Sequence, residues 1–117
     1  MSTTVKKELI DFEQFLAIEE KLEIRIGTIK SVERIPKNKK MLTLRVSFGD
    51  GDTKLVVTNI GNRLDNIEDL EGIQLPFIMN LRPVNISGFI SEAMIMVGET
   101  DDGKLQFDKF TDGVKLL

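Results

Sequence analysis

The chain has 117 residues, 41% hydrophobic and 30% charged, with a net charge of −3, the balance of an ordinary globular domain that needs neither disulfides nor metal for a core. It contains no cysteine and no histidine, which excludes thiol nucleophiles, imidazole bases and the usual zinc and haem sites. A net acidic chain is also not one that coats nucleic acid indiscriminately, although a local positive patch survives a small overall negative charge.

Residues 1–10 are polar and mixed and are expected to form a flexible N-terminus, leaving 11–117 as a single domain. Asp11 is placed to cap a helix, with Gln14 reaching back to it and Ile10 stapling onto Phe15. Phe12, Phe15 and Leu16 follow an i, i+3, i+4 stripe, so a short helix is predicted as far as Ile18. That stripe must pack either on its own domain or on a second subunit. Leu22, Ile24 and Ile26 alternate with Glu23 and Arg25, a half-buried strand. The alternation breaks at Gly27, which predicts a bulge or sharp bend within one long strand.

A basic loop follows, with Arg34, Lys37, Lys39 and Lys40 around Pro36; residues 21–54 hold nine basic against four acidic side chains. Leu42, Leu44, Val46 and Phe48 alternate with polar residues as a strand, and Gly49-Asp50-Gly51-Asp52 turns it into a returning strand over 54–58. A break at 59–62 precedes a predicted short acidic helix over 64–70, stopped by Gly72. Residues 73–81 read as a nearly continuous apolar strand and 93–97 as another. An Asp101-Asp102-Gly103 turn leads to a short strand at 105–107, and 114–117 forms a last edge. The predicted fold class is all-β: a five-stranded OB barrel with a short N-terminal helix, a short helix between strands three and four, and extra C-terminal strands.

The stretch 80–94, NLRPVNISGFISEAM, concentrates the unusual residues. Pro83 has no backbone donor and breaks a ladder, and Gly88 offers a positive φ in the connecting loop. This arrangement places Asn80, Arg82, Ser91 and Glu92 at two neighbouring strand ends, as an ordinary polar loop or as a convergent site. NLRP…G…SEAM resembles the signature NLKP-x-x-x-x-G-x-x-SEGM of the tRNA-binding domain family, residue for residue, with Ala93 where glycine is usual. That family includes C-terminal extensions of methionyl-tRNA synthetases, stand-alone dimeric tRNA-binding proteins and CsaA-type chaperones. IRIGTI at 24–29 is similar to its LRVGKI-type segment. Pro36 and Lys40 match the family's hPxADKL loop, where Asn38 and Lys39 replace alanine and an acid. Thr58-Asn59-Ile60 stands where the family has SGI or SGL.

The residues carry no Ser-His-Asp set, no HExxH, no GxSxG and no phosphate loop, and no cofactor is implied. The expected activity is binding rather than catalysis. The resemblance implies tRNA as partner, with Lys40, Asn80, Arg82, Ser91, Glu92 and Met94 at the site and Arg34, Lys37 and Lys39 as phosphate contacts. Glu92 is expected to orient Arg82 or a loop amide rather than touch RNA, and Met94 to line the site. Of the seven phenylalanines, Phe89 has the best claim to exposure, with inward packing as its competing role. The resemblance further implies a homodimer through Phe12, Phe15 and Leu16 with Val114, Leu116 and Leu117. A synthetase acting in trans is a further partner it allows. The alternative is a CsaA-like chaperone for unfolded preprotein segments, to which the tail GKLQF…DGVKLL is similar. With no apolar run near the ~18 residues of a membrane span and no signal-peptide core, the expected location is cytoplasmic.

Overall fold

The computed structural model describes residues 7–116. Its pattern is set by β2 (Leu42–Ser47), where Leu42, Leu44 and Val46 are fully buried while Arg45 between them is exposed. Successive side chains on a strand point to opposite faces, so this alternation fixes one wall of a core and one outer face. β2 pairs antiparallel with β1 (Ile24–Arg34) and with β3 (Thr53–Thr58). β1 also pairs with β4 (Gln74–Ile78), and β4 with β7 (Met94–Ile95), giving the sheet order β3-β2-β1-β4-β7. This is a curled five-stranded sheet of OB type, with Phe77, Leu75 and Ile29 at its centre and the Phe48 ring edge-on to Phe77 at 5.4 Å.

β1 makes the curl because its two halves serve different neighbours. Residues 24–28 face β4 and residues 28–34 face β2, with the register slipping between Ile29 and Ser31. The bulge therefore falls at Lys30 and not at Gly27, which stands in regular register opposite Leu75. Gly27 is small for a different reason: a Cβ there would lie 2.5 Å from both Phe48 Cε1 and Val46 Cγ1. Both atoms belong to buried core side chains that have little room to yield. Gly27→Ala is expected to cost about 1–3 kcal/mol by overpacking, read as a lower urea midpoint with unchanged slope.

Between β3 and β4 the predicted single helix is two 3₁₀ turns, Gly61–Arg63 and Ile67–Leu70. Leu64 and Asn66 both have extended backbone, which prevents the turns from merging, and only Leu70 of the second turn is fully buried. Arg63 pairs with Glu99 and ties the first turn to β8 (Gly98–Glu99). β8 sits between β9 (Leu105–Gln106) and β10 (Lys115–Leu116) in a small second sheet. The apolar run at 73–81 forms a shorter strand than predicted, and the supposed loop at 84–91 is a hairpin of β5 (Val84–Ile86) and β6 (Phe89–Ser91). Ser87 and Gly88 make its turn with φ of 53° and 89°.

Helix α1 (Phe12–Glu19) begins as predicted, with the Asp11 N–H donating to Gln14 Oε1 at 3.0 Å. None of its residues is buried; Phe12 is 71% exposed, and only Leu16 is half-buried. Phe12 and Phe15 stack on each other at 6.1 Å instead of entering the core. The radius of gyration, 15.3 Å, exceeds the roughly 13 Å of a compact chain this long, as a helix standing off the sheet requires.

Candidate nucleic-acid interface

The curled sheet leaves two edges, β3 and β7, that face each other across a seam. A strand edge presents unpaired amides and carbonyls that must find partners if they are covered. Here Ser91 and Glu92 supply them. The Leu55 N–H donates to Glu92 Oε2 at 2.9 Å, and the Glu92 N–H donates to the Leu55 carbonyl at 2.9 Å. The Val57 N–H donates to Ser91 Oγ at 2.9 Å, whose hydroxyl donates to the Ala93 carbonyl at 3.1 Å. Ser91 is buried and Glu92 half-buried, so both carry a structural bond rather than an open contact. Glu92 orients a backbone amide, that of a strand.

Beside this latch lies a trough. One end is a cavity of about 360 Å³ lined by Val57, Val84, Ile86 and Met94, with Arg82 on its rim. Val57, Ile86 and Met94 also line a second cavity of about 250 Å³, which runs on to Met41, Asn59 and Ile60. The trough is thus one apolar floor with different ends. Among the described residues the Arg82 side chain has no hydrogen-bond or ion-pair partner, and it is exposed. Its guanidinium is free to fork onto an anion.

The other end abuts the basic loop at 35–41, which its own backbone holds firmly. The Ile35 N–H donates to the Met41 carbonyl at 3.1 Å and the Gly61 N–H to the Lys40 carbonyl at 2.7 Å. Asn38 Oδ1 accepts from the Lys40 N–H at 3.2 Å, and Lys37 turns the chain with φ of 65°. Arg34 is not a free cation: its Nη1 donates to the carbonyls of Lys39 at 3.1 Å and Gly61 at 3.0 Å. Lys37, Lys39 and Lys40 are exposed around this frame. Gly61 allows the approach, since a Cβ there would lie 2.9 Å from the Lys40 carbonyl oxygen; the sequence signalled only a break at that point.

The structure therefore brings Arg82, Ser91 and Met94 to one cavity, leaves the three lysines exposed on the loop that runs into Met41 of the second cavity, and sends Asn80 elsewhere. Asn80 Oδ1 accepts from the Glu23 N–H at 2.9 Å, and its Nδ2 donates to the Lys21 carbonyl. With the Met79 N–H donating to the Glu23 carbonyl at 2.8 Å, it extends the β1–β4 ladder and fixes the link from α1. Asn80, Arg82, Ser91 and Glu92 share a segment but not a target. Val57, Ile86 and Met41, which floor the trough, were not marked by the sequence because each reads as a routine apolar position.

The family described as "Putative tRNA binding domain" matches residues 24–116. The methionine–tRNA ligase of Christiangramia forsetii is 37% identical over 111 residues, which are 94% of this chain and 15% of the ligase. The chain thus spans about 15% of the length of that relative. The crystal structure of a MetRS-related protein from Pyrococcus horikoshii is similar with a TM-score of 0.73 at 33% identity, covering 92% of this chain and 94% of that one. The CsaA chaperone of Bacillus anthracis is similar with a TM-score of 0.65 at 28% identity, covering 94% and 99%.

Proposed function

Because the chain belongs to the tRNA-binding domain family, we propose that it is a non-catalytic cytoplasmic module that holds tRNA along the seam trough. The observation that carries this reading is Arg82, unpartnered among the described residues, on one rim of an apolar floor whose other end reaches Met41, the residue that follows the exposed Lys39 and Lys40 of the basic loop. In OB folds the loop after the first strand and the loop before the last flank the ligand face, and the basic loop and the 80–91 segment are those loops. Cations on the rims neutralise phosphates, and an apolar floor accepts sugar and base faces.

A chaperone reading draws on one specific observation. Leu81, Val84 and Met94 are all exposed and line the trough, and contiguous exposed apolar surface is what an unfolded segment would engage. The two readings separate by competition. Binding of a reduced, unfolded polypeptide that persists at high salt and is not displaced by total tRNA supports the chaperone; displacement by tRNA at low salt supports the RNA module.

We further propose a homodimer. Phe12 and Phe15 on α1 are exposed, as are Ile24 and Ile26 on the adjoining half of β1, and Leu116 on β10 is 47% exposed. Val114 and Leu16 are half-buried and contribute less, and Leu117 lies outside the described residues. A two-fold across this face covers the apolar surface and doubles the tRNA-binding area. Phe12→Ser with Phe15→Ser is expected to shift sedimentation from dimer to monomer at micromolar concentration. A wild-type chain that already sediments as a monomer overturns this part.

A further inference from the structure

A third, smaller cavity of about 90 Å³ lies on the outer face of the sheet, where Arg45 is exposed. Ser31 and Glu33 of β1, Thr43 and Arg45 of β2, and Leu55 of β3 surround it, and Phe89 of the hairpin stands at its edge. The register puts Ser31 opposite Arg45 and Glu33 opposite Thr43, so Glu33 and Arg45 are diagonal neighbours. Such neighbours lie roughly 7–8 Å apart, and no ion pair joins them. Among the described residues neither side chain has a hydrogen-bond or ion-pair partner. Phe89 keeps 38% of its surface exposed although Leu55 and the sheet are beside it.

We propose that this cavity receives one unstacked nucleobase of the bound RNA, with guanine preferred; the inference rests on the RNA-binding reading above. The cavity is too small for a chain segment and has the parts a flat heterocycle needs. An exposed aromatic face stacks any base. A carboxylate is a pair of acceptors and a guanidinium a fork of donors. Guanine alone among the four common bases offers two adjacent donors, N1–H and the N2 amino group, for Glu33, and the O6 acceptor beside them for Arg45. Glu33 also repels a phosphate, so the base rather than the backbone enters. Reading of splayed bases on their Watson–Crick edges is how RNA sequence is usually discriminated.

The test uses a labelled RNA stem–loop with one guanosine in an otherwise uridine loop, and its inosine counterpart, which lacks only the N2 amino group. The wild-type chain is expected to bind the guanosine loop about ten-fold tighter than the inosine loop. Glu33→Gln, at an exposed position, should remove that difference, and Phe89→Leu should weaken both RNAs alike by about ten-fold. Circular dichroism melting of each variant separates lost binding from lost fold, and Glu33→Gln carries the test by itself if Phe89→Leu unfolds. Equal wild-type affinity for the two loops, with salt-dependent binding intact, overturns the base pocket and leaves the tRNA reading standing. No salt-dependent binding to any RNA overturns both.

Discussion

Ser91→Ala should destabilise the fold by about 1–3 kcal/mol, the cost of leaving a buried amide unpaired. The amide in question is that of Val57, itself buried, whose N–H donates to Ser91 Oγ. Alanine fits the space but provides no acceptor. Glu92→Ala strips the acceptor from the Leu55 amide in the same way, one pair of residues along the same edge. Because both mutations loosen one seam, their effects should not add; a double mutant is expected to cost less than the sum. The chain has no tryptophan or tyrosine, so the readouts are far-UV circular dichroism in urea and amide exchange. The Leu55 and Val57 amides should lose protection ahead of the rest of the sheet. Unchanged exchange at both positions would mean the latch does not hold the edge.

Lys37→Gln, Lys39→Gln and Lys40→Gln together should weaken tRNA binding at low salt by ten-fold or more and flatten its salt dependence. Each lysine that neutralises a phosphate contributes roughly 0.7–0.9 to the slope of log K against log salt, so three should remove about 2–3. The fold should be untouched, because these side chains are exposed and the loop is held by backbone and Asn38 bonds. Arg34→Gln provides the contrast. It removes the bridge from Arg34 to the Lys39 and Gly61 carbonyls and should lower stability and loop order, with any loss of binding following from that. A triple lysine variant with wild-type slope would take the basic loop out of the interface.

The alternation over 42–48 and the turn at 49–52 were legible because strand faces follow a local period of two, and those elements fall where the pattern puts them. The bulge was misplaced because Gly27 coincides with the lost alternation, whereas its small size serves the Phe48 ring and the slip occurs at Lys30. The hairpin at 84–91 is not legible as strands because each has only three residues, too few to show a period. The hydrogen-bond roles of the candidate site residues are not legible in the sequence. Ser91 finds its partner 34 residues away, Glu92 37 and Asn80 57, and no local pattern carries such distances. Arg82 is reached through the family resemblance, with Glu92 as its expected partner; that its side chain has no partner among the described residues is visible only in the structure.

The most direct test of tRNA engagement along the seam is a titration of total tRNA at two salt concentrations, with the wild-type chain and with Arg82→Ala. Among the described residues the Arg82 side chain has no partner, so its removal reports on the ligand and not on the fold. Submicromolar binding at low salt that falls steeply at the higher salt, and is weakened several-fold in the variant, is the predicted result. Absence of binding by the wild-type chain at low salt, or an affinity indifferent to both salt and Arg82, would contradict it.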